Sequence, residues 1–303
     1  MFDDWRSIPH LYYIQPISAE WTAMLSVNAP YGLITEWPSG WVGNGIATYS
    51  ELQAIYATPS VAYRVNEKLA LSGGFNIVSA DAQLSSITNL GVNVEKTLTG
   101  DDLGYGYTAS CHYQALDDWA VGIRYQSRVE LTLKGNITLG PPANVGGSGS
   151  VDLTIPSTVN FGISNTSIKD LTIGVDCIWT EWSTYDRLAI RTGGGTTTIP
   201  KNWDNVWSIR VGGEYALGES WALRAGYVWD QSPVPDSTRA PEMPGSDRQM
   251  VMAGLGWKWK HIGIDVAYSY LWAERVDMGT IYPLPGTFET TSHFLALSAS
   301  YAF

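Results

Sequence analysis

The C-terminal stretch 292–303 reads SHFLALSASYAF, and its alternation constrains the fold more than any other part of the chain. Counting back from the end, Phe303, Tyr301, Ala299, Leu297 and Leu295 are apolar or aromatic, whereas Ala302, Ser300, Ser298 and Ala296 are small or polar. A two-residue period makes a strand with one oily face. In a soluble sandwich the bulky face would meet a second sheet. Large residues on one side and only Ser and Ala on the other suit a wall between lipid and an enclosed interior. A half-buried edge strand of a secreted β-protein is the competing reading.

Composition favours the wall. The chain is 45% hydrophobic but only 16% charged, with 14 Trp, 17 Tyr and 31 Gly among 303 residues. Few charges with many Trp and Tyr are what a lipid-facing surface with aromatic belts requires. No apolar run of about eighteen residues occurs, which excludes a helical membrane protein. With 18 basic against 29 acidic residues, no electrostatic footprint for nucleic acid is left. Cys111 and Cys177 fall on the apolar faces of separate strands, as small hydrophobes rather than a disulfide or a metal site. No composition shift divides the chain, so 1–303 is expected to be one domain. Its start, MFDDW, has neither a basic segment nor an apolar core. For an outer-membrane protein that implies a chain whose beginning is missing or has been removed.

Short polar turns fall at 18–20, 66–68, 117–118, 169–170, 218–220 and 260–261. Longer Gly-, Pro-, Ser- and Thr-rich connections fall at 31–49, 81–99, 135–149, 192–202, 232–246 and 276–286. Short turns alternating with long loops predict an all-β, antiparallel, up-and-down transmembrane β-barrel with the loops outside. The strands after the short turns open on Trp21, Leu69, Trp119, Leu171, Trp221 and Ile262, an aromatic girdle in part. Period two then holds: Trp119, Val121, Ile123 and Tyr125 alternate with Ala120, Gly122, Arg124 and Gln126. Trp221, Leu223, Ala225, Tyr227 and Trp229 alternate with Ala222, Arg224, Gly226, Val228 and Asp230. Charged members share the face opposite the oily one and are expected to line the lumen. Leu84, Ile87 and Leu90 have helical spacing and predict a short surface helix. The strands number about thirteen, and single-chain bacterial barrels have an even count.

An ordered set of segments resembles one family. IPHLYYIQPISAEW (8–21), APYGLITEW (29–37), TPSVAYRVNEKLALSGGFN (58–76), IRYQSRVELTLKGN (123–136), WTEWSTYDRL (179–188), DQSPVP with PGSDR (230–235, 244–248) and the terminal SASYAF are similar to the FadL/TodX outer-membrane transporters of long-chain fatty acids and hydrocarbons. The ending with Tyr301 and Phe303 also resembles the terminal signature of bacterial outer-membrane barrels. The resemblance implies fourteen strands, an N-terminal plug in the lumen, a lateral opening in the wall, and a site in the outer membrane of a Gram-negative bacterium. This sequence would hold about thirteen of the fourteen strands, without signal peptide, plug or first strand. Interior basic residues expected on the fourth strand are not matched; Asn76, Val78 and Asp81 stand there.

An insoluble cargo needs apolar surface at the point of capture. Leu33, Ile34, Trp37, Trp41 and Val42, with Leu84, Ile87 and Leu90, are the candidate capture residues. Arg124, Arg128, Lys134, Arg210 and Arg224 face the lumen by parity, to meet an acidic head group or to form a bracing lattice with Glu130, Glu214, Asp230 and Asp265. Arg248 is a further structural partner, and Pro233 and Pro235 stiffen a strand exit. An enzyme is the weakest alternative. His10, His112, His261 and His293 make no nucleophile-base-acid set, and no Cys/His metal spacing occurs. A diffusion porin is the nearer alternative, against which stand lumen faces rich in Ala, Gly and Val. The expected partners are a fatty acid or hydrocarbon, membrane lipid and lipopolysaccharide; no cofactor and no nucleic acid are expected, and the chain is read as a monomer.

Overall fold

The computed structural model describes residues 7–38, 40–282 and 286–303. The MFDDW start, Ser39 within the 31–49 connection and 283–285 within 276–286 lie outside them. One short strand and four long ones come first: β1 (Leu11–Pro16), then β2 (Trp21–Glu36), β3 (Tyr49–Arg64), β4 (Leu69–Asn89) and β5 (Asn93–Leu116). Four pairs then each form one interrupted stave: β6 (Trp119–Gln126) with β7 (Val129–Leu139), and β8 (Val145–Ile155) with β9 (Thr158–Ile168). The other two are β10 (Leu171–Thr180) with β11 (Arg187–Thr192), and β12 (Gly195–Pro200) with β13 (Val206–Leu217). β14 (Trp221–Asp230), β15 (Arg248–Trp259) and β16 (Ile262–Ala273) follow. A two-residue pair, β17 (Val276–Asp277) and β18 (Thr287–Phe288), precedes the terminal β19 (Thr291–Tyr301).

Apart from the β17–β18 pair the strands form one 17-stranded sheet. With the four interrupted staves counted once each, thirteen staves stand side by side in chain order, every pair antiparallel. The sheet curls on itself. Tyr13 of β1 and Phe303 beyond β19 stack with ring centroids 6.0 Å apart, and Tyr31 of β2 meets Trp182 edge-on across the interior at 6.0 Å. All six short polar stretches are the hairpin turns at one rim. Three turn through left-handed backbone, at Asp170, Gly218 and Lys260, as tight hairpins require.

In the half near the short turns the oily faces point outward. Leu223, Leu255, Val266 and Leu297 are neighbours in register on four staves, and each is well exposed. β14 spans 10 residues, the length a tilted strand needs to cross a bilayer. Both cysteines are free and lie on this outward face, Cys111 opposite Ile123 and Cys177 between Phe161 and Ile209.

The other half reverses the rule. On β4, Leu71 and Phe75 point out, but from Val78 onward the apolar residues are Val78, Ala80, Ala82 and Leu84 on the inner face, with Ser79 and Asp81 outside. β7 achieves the same by insertion. Thr108 faces Gln126 and Asp101 faces Lys134, so seven steps along β5 match eight along the neighbouring stave. That one-residue bulge at Ser127–Arg128 flips the side-chain parity. Val129, Leu131 and Leu133 therefore point inward and are buried with Tyr56, Val78 and Ile155.

Two expectations are overturned here. Of the predicted helix, Leu84 and Ile87 lie in strand and Leu90 in the turn that follows, because β4 and β5 pair continuously up to Asn89 opposite Asn93. Much of the long connections at 81–99, 135–149 and 192–202 is likewise strand, extending the staves beyond the oily band.

Candidate functional site

The inward apolar faces of the outer half line a partly open cavity of about 90 Å³. Its wall is built from Leu52 on β3, Leu84 on β4, Leu98 on β5, Leu133 on β7, Leu153 on β8 and Leu188 on β11. Period two supplies each of them, because alternate residues of every stave reach the same interior. Where two staves break, the chain turns inward and packs an aromatic knot. Trp182 lies edge-on to Trp203 at 5.0 Å, and Trp203 to Tyr185 at 4.9 Å.

The roof is the 231–247 connection, which folds down into the mouth so that Val234, Ala240 and Pro241 are buried. Other outer loops are tied to it. Trp37 donates its indole N–H to the Pro241 carbonyl at 3.0 Å, and the Gly279 and Ile281 amides donate to Arg239 and Ser237 carbonyls at 2.9 and 3.2 Å. Arg239 is itself buried and donates to Gly245 and Asp277 carbonyls. Below the roof, Lys201 sits at the break between β12 and β13. Its amide donates to the Asp186 carbonyl, and its own carbonyl accepts from Thr238 Oγ1 at 2.5 Å. The Lys201 ammonium is 2% exposed and pairs with Glu242 of the roof. A buried pair of this kind holds roof to wall, because either partner alone would be a bare charge out of water. Burial, and after it the Glu242 carboxylate, push the Tyr185 phenol well above its ordinary titration range. It stays a neutral hydroxyl.

The capture residues read from sequence divide into three groups. Leu33 and Leu84 line the cavity. Trp37 stacks on Trp41 at 5.1 Å and meets Phe288 at 5.8 Å, in the loop layer above it; Ile87 is half-buried there, its amide bonded to the Asn44 carbonyl. Ile34, Val42 and Leu90 are exposed. Leu52, Leu98, Leu133, Leu188, Tyr185 and Glu242 were not picked out by sequence reasoning. The switch of apolar parity is the signal for the leucines, which lie on strands; Tyr185 and Glu242 lie in irregular segments and carry no such mark.

The lumen charges also divide. Arg224 donates to Glu214 at 2.6 Å and to Asp265 at 2.5 Å, reaching past β15. It can do so because Gly256 stands between: a Cβ there would lie 2.6 Å from Asp265 Oδ1 and 2.7 Å from an Arg224 nitrogen. Arg248 and Asp230 are paired directly across β14 and β15 at 2.6 Å. Arg124 donates to Thr108 Oγ1 and Gln126 Oε1, and Arg210 lies opposite Asp176 in register. Arg128, Glu130 and Lys134 are a correction. The 127–128 bulge turns them to the outer surface, where Arg128 meets Glu130 at 3.4 Å and both are exposed. Of the fourth-strand residues, Asn76 and Val78 are buried inward, Asn76 accepting from Thr58 at 3.0 Å, and Asp81 is exposed.

An antiparallel cylinder with a bilayer-height oily band outside and a roofed apolar cavity in its outer half defines an outer-membrane transport barrel for hydrophobic cargo. The family model described as outer membrane protein transport protein (OMPP1/FadL/TodX) matches residues 1–303, and the chain belongs to that family. The long-chain fatty acid transport protein of Escherichia coli O6:H1 is 26% identical over 313 residues, covering 89% of this chain and 70% of that protein. A crystal structure of a Pseudomonas aeruginosa FadL homologue superposes with a TM-score of 0.92 at 25% identity, covering 97% of this chain and 78% of that one. The toluene transporter TodX of P. putida shares the fold, with a TM-score of 0.78 at 18% identity over 97% of this chain and 81% of its own.

Proposed function

We propose that this protein takes up hydrophobic compounds across the outer membrane, long-chain fatty acids or related hydrocarbons among them, by holding the apolar part of the cargo in the outer-half cavity. The observation that carries this reading is the inversion of side-chain parity. A water-bathed stretch of barrel gains nothing from an apolar interior unless that interior is filled by its own packing or by cargo. Here packing leaves a cavity. At about 90 Å³ it is smaller than the roughly 150 Å³ that takes up a benzene, so it suits one end of a ligand. The relatives' names supply the cargo class.

The lumen charges of the lower half act as braces in this reading, with Arg224 and Arg248 already engaged by carboxylates. The outward band is read as meeting lipid, with lipopolysaccharide around the outer half, and residues 1–303 as one barrel domain acting as a monomer. The test is saturable binding of oleate and toluene to the detergent-solubilised protein, beside swelling of protein-loaded liposomes in small sugars. Saturable binding that weakens about tenfold or more in Leu84→Asp, but not in the exposed Ile34→Asp, supports capture; one lost hydrophobic wall position is worth about that much. Rapid sugar-driven swelling without saturable binding supports a pore and sinks the proposal.

A further inference from the structure

The outer wall carries a second, larger hollow that cargo capture does not use. β9 and β10 pair as far as Thr158 opposite Thr180, and β8 meets β11 only from Val151 opposite Ile190. Between those points 152–156 faces 182–189 with no ladder bond, and the chain bows inward there to bury Tyr185 against Trp203. Outside, this leaves an open depression of about 420 Å³, within the roughly 300–1,000 Å³ of small-molecule sites. Asp152, Thr154, Asp186, Arg187, Arg191 and Thr198 line it, so its wall offers donors and acceptors together.

Its height and its charges say what fits. Leu171–Thr180 of β10 is 10 residues long, enough to cross the bilayer, and the depression begins at Thr184, just past that span. This is the layer in which glycolipid of the outer leaflet carries its phosphates and sugars. The chain has a net charge of -11, which repels phosphate unless cations stand where phosphate lies. Here they do. Lys134, Ser150 and Arg191 share one outward row on β7, β8 and β11, which sets the two cations about 10 Å apart, two inter-strand spacings. Arg191 grips Asp152 with two nitrogens. The exposed Lys134 and Arg187 side chains have no ion pair or hydrogen bond among the described residues. We propose that the depression binds the phosphorylated sugar head group of lipopolysaccharide. Arg187 is its phosphate partner, as the guanidinium fork suits, Lys134 is a second cation beside it, and Asp186 and the threonines take the sugar hydroxyls. The inference rests on the reading that lipopolysaccharide surrounds the outer half, and gives that lipid a fixed place.

Bisphosphorylated lipid A, the sugar-phosphate anchor of lipopolysaccharide, is titrated into the detergent-solubilised protein beside its dephosphorylated form and phosphatidylglycerol, and bound lipid is counted by native mass spectrometry. The expected result is one lipid A held at least about tenfold more tightly than either comparison lipid, because only it brings phosphate and sugar together. Lys134→Gln/Arg187→Gln is expected to lose that preference. So is Ala189→Trp, which fills the depression and changes no charge. Lys169→Gln, exposed at the short-turn rim, is expected to keep it. If one of the two depression variants does not fold, the other decides. Either comparison lipid binding as tightly as lipid A, a preference that survives in a folded depression variant, or its loss in Lys169→Gln overturns the head-group site. Oleate binding in the same samples is read separately: its presence leaves hydrophobe capture standing whatever lipid A does, and its absence from the wild type sinks capture alone.

Discussion

The two halves of the barrel share staves but obey opposite side-chain rules. In the lower half Leu223 and Leu255 face out and Arg224, Glu214 and Asp265 face in. In the outer half Leu131 and Leu133 face in, while Thr132 and Asp152 bond to each other on the outside. The solvent decides which rule holds. Lipid accepts apolar side chains on the outer wall and leaves charges to pair in the lumen, whereas water outside sends apolar side chains inward. The backbone follows the change in two ways, by a bulge at 127–128 or by a change of sequence pattern on an uninterrupted strand such as β4.

Arginine substitutions test that contrast most sharply. Leu131→Arg buries a charge without a partner and is expected to cost about 3–5 kcal/mol, against little for Thr132→Arg next door. In the lower half the sides exchange: Leu223→Arg points into lipid at about 2–4 kcal/mol near the midplane, while Ala222→Arg costs less. Urea unfolding of the four variants in lipid vesicles measures this. Equal costs within either pair would break the comparison.

A smaller effect is expected at Gly256. Gly256→Ala puts a methyl between Arg224 and Asp265, and overpacking of this order costs about 1–3 kcal/mol. Pairing with Asp265→Ala, which removes the crowded oxygen, should recover part of that loss in a double-mutant cycle; additive losses would show that the brace is not what the methyl disturbs.

The smallest effect belongs to the outer wall. Its hydrogen bond from Arg191 holds the Asp152 carboxyl below the ordinary carboxylate range. A carboxyl depressed on folding adds stability that is present above its unfolded pKa and is lost as pH falls through the folded one. The wild type should therefore exceed Asp152→Asn slightly at neutral pH, and the gap should close on acidification. A gap that widens toward pH 3 would contradict the pairing.

The periodic parts of this molecule were legible in its sequence. The six short turns are breaks in a two-residue alternation, and a polar break between oily runs has few other meanings. Leu84, Ile87 and Leu90 misled because three apolar residues at helical spacing also occur by chance in a strand. What overruled them is the β4–β5 ladder, a partner that local spacing does not report. Arg128 and Lys134 were assigned to the lumen by carrying the parity of Ile123 and Tyr125 across a bulge with no sequence mark. Of the cavity, Leu33 and Leu84 were found because they stand out in a long connection. Lys201 and Glu242 were not, since each lies in an irregular segment and only folding brings the ammonium to the carboxylate.

The bulge at 127–128 sets a phase rather than making a contact. Every residue downstream on that stave takes its side of the wall from the one extra position, so its removal would be felt along the whole of β7. Shortening the chain by Arg128 alone would offer Leu131 and Leu133 to water and send Glu130 and Lys134 into the chamber, an inversion that no single exchange of side chains can imitate.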